Sequence, residues 1–123
     1  MTIERFSTRK PFPFSDAVRA NGFIFLSGQV SMSEEGEPLP GTVQEQTHRA
    51  MTSIERTLSR AGVTFDHVVR VQVWLSDMKH FAEFNATYRQ WFPDGSPARS
   101  VVTGQPAFGL DVEIEVQAAS NAE

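Results

Sequence analysis

The clearest pattern lies near the C-terminus, where residues 111–118 alternate. Val112, Ile114, Val116 and Ala118 fall on one side, and Glu113, Glu115 and Gln117 on the other. That period of two predicts a strand with one buried face. Residues 67–75, HVVRVQVWL, alternate in the same way. They predict Val69, Val71, Val73 and Leu75 on one face, and Val68, Arg70, Gln72 and Trp74 on the other. Residues 99–103, RSVVT, predict a further short strand. Residues 17–30 predict a β-hairpin turning at Asn21-Gly22, a pair that accepts positive φ at both positions. Its second arm, Phe23 to Ser27, is rich in aromatic and β-branched residues.

Helical spacing appears twice. Ala50, Met51, Ile54, Leu58 and Ala61 recur every three or four residues and predict a helix over 43–61. Thr42 with Glu45 three residues on matches a capping box, and Gly62 fits the left-handed stop. A second helix is predicted over about 78–92. Asp77 caps it, Phe81, Phe84, Tyr88 and Trp91 share one side, and Pro93-Asp94-Gly95 ends it. Residues 31–42, with Ser, Glu, Gly and two prolines, predict an exposed loop. The resulting order is β-β-α-β-α-β-β, an α+β domain with one mixed sheet and two helices on one face. No repeat or linker divides residues 1–123.

The other sheet face then carries Arg70, Gln72, Trp74, Glu113, Glu115 and Gln117. Trp74 and the Phe-rich hairpin sit poorly in water, so this face predicts an interface where sheets from several subunits meet. The alternative is an amphipathic sheet open to solvent. Ten Phe and two Trp in 123 residues favour some burial between subunits.

Composition mostly excludes. A net charge of −4 and no Lys/Arg cluster argue against nucleic-acid or acidic-membrane partners. The absence of cysteine removes disulfides, thiol catalysis and Cys-based zinc sites. No segment reads as a signal peptide or a membrane span, which predicts a cytoplasmic protein. There is no GxGxxG, Walker loop or Gly-x-Ser-x-Gly elbow, so Ser27 is not an evident nucleophile. His48 and His80 are expected on exposed helix positions and His67 at a strand start. None has a metal-ligand neighbour at useful spacing.

Arg99, in Ser-Pro-Ala-Arg-Ser, stands out. A guanidinium at a strand start is held rigidly and can bind a carboxylate with two parallel hydrogen bonds. The other possibility is an ion pair with Glu113 or Glu115, the commoner use of such residues. Glu113 and Glu115 share one strand face about 7 Å apart, so either could serve acid–base chemistry. Asn85 on the second helix could donate to a ligand.

These segments together resemble the RidA/YjgF family over nearly the whole chain. They are Phe25-Leu26-Ser27-Gly28-Gln29, Glu45-Gln46-Thr47, Val73-Trp74-Leu75-Ser76-Asp77-Met78, Phe84-Asn85-Ala86-Thr87-Tyr88, Pro97-Ala98-Arg99-Ser100 and Val112-Glu113-Ile114-Glu115. The resemblance implies a chorismate-mutase-like fold assembled as a homotrimer around a central barrel, with sites in clefts between subunits. It implies hydrolysis of 2-imino acids and enamines such as 2-aminoacrylate to 2-keto acids and ammonia, with no metal or other cofactor. Arg99 matches the family arginine that grips the substrate carboxylate, and Glu113 the glutamate that positions water. Ser27, Gly28 and Asn85 match pocket-lining positions. Phe14 stands where many members have tyrosine, which removes a hydroxyl from the pocket wall, and Val101 where many have cysteine. The alternatives are a non-catalytic trimer that binds small carboxylates such as 2-keto acids or acts as a chaperone-like surface, and a pathway-specific deaminase.

Overall fold

A computed structural model describes residues 1–120. Its centre is a six-stranded sheet in the order β1-β2-β3-β6-β4-β5. The strands are β1 (Ile3–Ser7), β2 (Ser15–Ala20), β3 (Phe23–Leu26), β4 (Val68–Leu75), β5 (Ala98–Thr103) and β6 (Val112–Ala119). All neighbours run antiparallel except β4 and β5. Helices α1 (Val43–Arg60) and α2 (Phe81–Tyr88) contribute to the core on one face.

The local signals act as their chemistry requires. Asn21 and Gly22 take φ of 56° and 84° between β2 and β3. Thr42 Oγ1 accepts from the Glu45 N–H at 3.1 Å, and Glu45 Oε1 accepts from the Thr42 N–H at 2.8 Å. The box satisfies helix-end donors that would otherwise lack partners. Gly62 follows α1 with φ 81°.

β6 sits between β3 and β4, and Val112, Ile114, Val116 and Ala118 are all wholly buried. They meet Ala50, Met51, Ile54 and Leu58 of α1, and Phe84 and Tyr88 of α2, in one cluster. Asp111, just before β6, ties the layers together. Its N–H donates to Gln46 Oε1 at 2.8 Å, and its carboxylate accepts from Gln46 Nε2 at 3.0 Å and Ser76 Oγ at 2.6 Å. The Ser76 hydrogen bond is the main reason its pKa lies below the ordinary aspartate value.

The structure departs from the sequence expectations in five places. A sixth strand, β1, pairs with β2 at the sheet edge. Its residues IERFS are largely exposed, so no apolar alternation announces it. In β4 the register slips between Val68 and Arg70. This bulge buries Val68 and exposes Val69, the reverse of simple alternation. The second helix is composite. Asp77 caps a 3₁₀ turn, Met78–His80, the α-helical part is Phe81–Tyr88, and Arg89–Trp91 is again 3₁₀. The loop after β3 starts buried rather than exposed at Ser31 and Met32. Arg49 donates to Ser31 Oγ and to the Leu39 and Pro40 carbonyls, holding it against α1. Finally, His48 and His80 are half-buried. His48 Nδ1 accepts from Trp91 Nε1 at 3.2 Å, and His80 Nε2 lies 3.8 Å from Asp111.

Phe84 joins α2 to the sheet and has no exposed surface. Phe84→Ala is expected to lower unfolding stability by about 3–5 kcal/mol, the usual range for emptying an aromatic core site. A urea titration measures this, and a loss below about 1 kcal/mol would contradict the packing described.

Candidate functional site

The predicted site residues form two groups on opposite faces of the sheet. Arg99 is in register with Val71 across the parallel β4–β5 pair. Val71 is wholly buried under the helices, so Arg99 also points to the helix side. Glu113 is in register with Trp74. It shares the open face with Glu115, Gln117, Arg70 and Gln72. The alternation that buries Ile114 therefore places Glu113 away from Arg99.

Arg99 is held by α2. Its Nη1 donates to Asn85 Oδ1 at 2.8 Å. Its guanidinium carbon lies 5.0 Å from the centre of the Tyr88 ring and 5.8 Å from that of Phe81. Both distances suit a cation over aromatic faces. Phe81, Asn85 and Tyr88 are spaced by four and three, so one helix face builds this cradle. Among the described residues no carboxylate forms an ion pair with Arg99 within 4.0 Å. The internal salt link to Glu113 or Glu115 is not formed. A guanidinium carries five N–H donors, and the Asn85 bond uses one of them.

The second group gathers where the end of β3 meets β6. Glu113 Oε1 accepts from the Ala107 N–H at 3.4 Å. Its Oε2 lies 2.7 Å from where a Cβ on residue 28 would stand, so glycine lets the carboxylate lie against the backbone. Ser27 Oγ donates to the Ser15 carbonyl at 2.6 Å. That bond points the hydroxyl at backbone, and it fixes the turn beside Gly28. Gln29 is buried, and its backbone N–H and C=O both pair with Ile114. Phe14 is exposed and stacks on Phe12 at 6.3 Å, and Phe12 meets Phe108 at 5.7 Å. Phe108 has φ 62°, a conformation side chains rarely adopt. It holds an exposed aromatic ring one residue beyond the Ala107 donor.

Around these groups the open face is partly apolar. Phe23, Phe25 and Val102 are 46%, 43% and 43% exposed. A recess of about 220 Å³ lies between Arg70, Gln72, Trp74, Glu115 and Gln117. Arg70 donates to Ser100 Oγ at 3.1 Å across the face.

Of the residues singled out from the sequence, Arg99 meets Asn85 and Glu113 lies against Gly28. The Tyr88 and Phe81 rings under Arg99, the Ala107 N–H and Phe108 were not singled out as their neighbours. The helical spacing of Phe81, Asn85 and Tyr88 was a usable signal for the first pair. Nothing local marks Ala107 or Phe108, because their role depends on contact with β6.

Tyr88 offers a direct probe, being the chain's single tyrosine. Its hydroxyl is buried without a hydrogen-bond partner among the described residues. Burial pushes its pKa up to about 12, against an opposing pull from Arg99. A phenol whose pKa is raised by folding loses stability as pH climbs from its ordinary 10.0 toward that value. The phenolate absorbance of the folded protein is expected to appear near pH 12, and near pH 10 in denaturant. Tyr88→Phe should remove this part of the alkaline loss and cost under about 1 kcal/mol at neutral pH, since no hydrogen bond is broken. Coincident titration of folded and unfolded protein would refute the buried hydroxyl.

Comparison with known proteins places this geometry in a family. The family model described as Endoribonuclease L-PSP matches residues 5–120. A bovine protein named 2-iminobutanoate/2-iminopropanoate deaminase is 39% identical over 84% of this chain and 77% of its own length. The mitochondrial protein Mmf1 of Saccharomyces cerevisiae is 35% identical over 85% of this chain and 71% of its own. The crystal structure of yeast Mmf1 superposes with a TM-score of 0.91 at 33% identity, covering 98% of this chain and all of the other (100%). That of the YjgF gene product from E. coli gives 0.84 at 26% identity, covering 91% of each chain. The chain belongs to the RidA/YjgF family, whose model carries the description Endoribonuclease L-PSP.

Proposed function

We propose that the protein is a cofactor-independent imine and enamine deaminase. It converts 2-aminoacrylate-type substrates to 2-keto acids and ammonia at sites between the subunits of a homotrimer. The observation that carries this reading is the state of Arg99. Its guanidinium is fixed by Asn85 and two aromatic faces and has no carboxylate partner among the described residues. A held cation of this kind suits the carboxylate of a small acid.

The separation of Arg99 and Glu113 supports a shared site. Facing opposite sides of one sheet, they need a neighbouring copy to meet across one ligand. The exposed Phe23, Phe25 and Val102, together with the recess at Trp74, suit an interface built on the open face. A cytoplasmic placement is part of the same reading.

The chemistry then needs few groups. Arg99 of one subunit binds the carboxylate and orients the substrate, which supplies much of the rate through positioning. The enamine tautomerises to the imine. Glu113 of the neighbour, steadied by the Ala107 N–H, accepts a proton from water as it attacks the imine carbon. Glu113 passes that proton to the nitrogen to give the carbinolamine. Its hydroxyl proton moves to the nitrogen as the C–N bond breaks, leaving the keto acid and ammonia. The bovine relative's name supports this reaction class. The RNA cleavage suggested by the family description lacks an electrostatic basis in a chain of net charge −4.

A second reading keeps the cleft and removes the turnover. Phe14 presents an exposed apolar ring, stacked on Phe12, where many members have a tyrosine hydroxyl, which favours small-carboxylate binding without hydrolysis.

The test generates an imino acid with an amino-acid oxidase and follows ammonia release. The protein is expected to accelerate release. Arg99→Ala should lower that acceleration at least about a hundredfold with the oligomer intact, as loss of a positioning clamp does. Glu113→Gln should cost about 10²–10⁴-fold, the range for a general base. No acceleration by the unaltered protein, with a thermal shift on adding a keto acid, would favour the binding reading. Full activity in Arg99→Ala would overturn the assignment.

A further inference from the structure

A cleft of about 910 Å³ lies apart from Arg99 and Glu113, between the Ser7–Lys10 stretch and the C-terminal half of α1. We propose that this cleft is a second ligand site, taking a small organic carboxylate with an apolar body, and that Lys10 is its anchor.

Charge in the cleft is unevenly matched. Arg9 pairs with Glu34 and Glu35 at 3.2 and 2.9 Å, and Arg60 with Asp16 at 2.9 Å. Arg56 has only a 3.9 Å contact with Glu34, which already serves Arg9. Lys10 has no carboxylate within 4.0 Å among the described residues. Its Nζ donates to Gln29 Oε1 at 2.7 Å, a neutral acceptor that also takes Ser53 Oγ at 2.8 Å. An ammonium has three donors, and the Gln29 bond uses one.

Lys10 is also partly withdrawn from water. Burial lowers its pKa from the ordinary lysine value, Asp16 opposes the shift, and Arg56 adds to it. A bound anion would relieve that penalty by supplying the missing opposite charge. Lys10 and Arg56, the two thinly compensated cations, both line this cleft, as does the carboxylate of Glu55. The Lys10 donors left open by Gln29 are therefore the anchor for a ligand carboxylate.

The remaining wall explains the apolar body. Val63 and Phe65 belong to the core cluster or pack against it, and both also line the cleft. The cleft volume falls within the roughly 300–1,000 Å³ typical of small-molecule sites. An acid with a hydrophobic group can place its carboxylate at Lys10 and its body against Phe65. A strongly hydrated inorganic anion would gain only the first contact.

Phenylacetate is the probe, titrated calorimetrically into the Arg99→Ala protein so that the Arg99 site does not contribute. Saturable binding below about 10 mM is expected. Affinity should fall about tenfold in Arg99→Ala carrying Lys10→Met, and about tenfold for phenylacetamide, the neutral analogue. The analogue arm keeps Lys10 in place and stands even if Lys10→Met unfolds. No saturable binding, or equal affinity for acid and amide, would overturn the proposal. So would a folded Lys10→Met variant that binds as before.

Discussion

The constraint on which the rest depends is the alternation of β6 in the middle of the sheet. Val112, Ile114, Val116 and Ala118 are wholly buried against the helices, so Glu113 and Glu115 must face the other way. A slip of one residue would drive carboxylates into the core and expose the apolar set. The register of β4 with its two neighbours then fixes Arg99 with Val71 and Glu113 with Trp74. The two residues best suited to chemistry are thereby kept apart within one chain. In the proposed function, assembly rather than folding alone brings them together.

Each half is prepared differently. Arg99 is partly buried without a counter-ion among the described residues, a state that ordinarily costs free energy. Aromatic faces and one amide oxygen offset part of that cost while leaving its charge uncompensated. A carboxylate in the place of Asn85 would steady the guanidinium better and would compete with a ligand for it. Around Glu113 the means are backbone rather than side chain. Glycine at 28 removes the atom that would collide with the carboxylate, and the Ala107 N–H meets its other oxygen. Gln29 links that corner to the core through its paired backbone groups and reaches Lys10 with its side chain. The same residue thus links the Glu113 corner to Lys10 of the α1 cleft.

Much of this was legible before the structure. Asn21-Gly22, the Thr42–Glu45 box and the stripes of α1 and β6 are local signals, each carried by a few adjacent residues. The candidate residues Arg99 and Glu113 stand out through Pro97-Ala98-Arg99-Ser100 and Val112-Glu113-Ile114-Glu115. What escaped was set by contacts distant in sequence. β1 is an exposed, charged edge strand whose pairing with β2 gives it shape. The slip at Val69 arises from pairing with β6, not from any residue of β4 alone. The alternative of an ion pair between Arg99 and Glu113 or Glu115 is not formed for the same reason. Each residue's face was readable only within its own strand, and the register between strands decided the outcome.

The proposed sharing of one site between subunits is tested most directly by mixing subunits. Arg99→Ala and Glu113→Gln chains, each inactive alone, are unfolded together in equal amounts, refolded and assayed for ammonia release. If Arg99 and Glu113 of each site come from different subunits, random assembly leaves about a quarter of the sites with both groups intact. Activity should return to about a quarter of that of the unaltered protein. Mixed oligomers that remain as inactive as either parent would contradict a site shared between subunits.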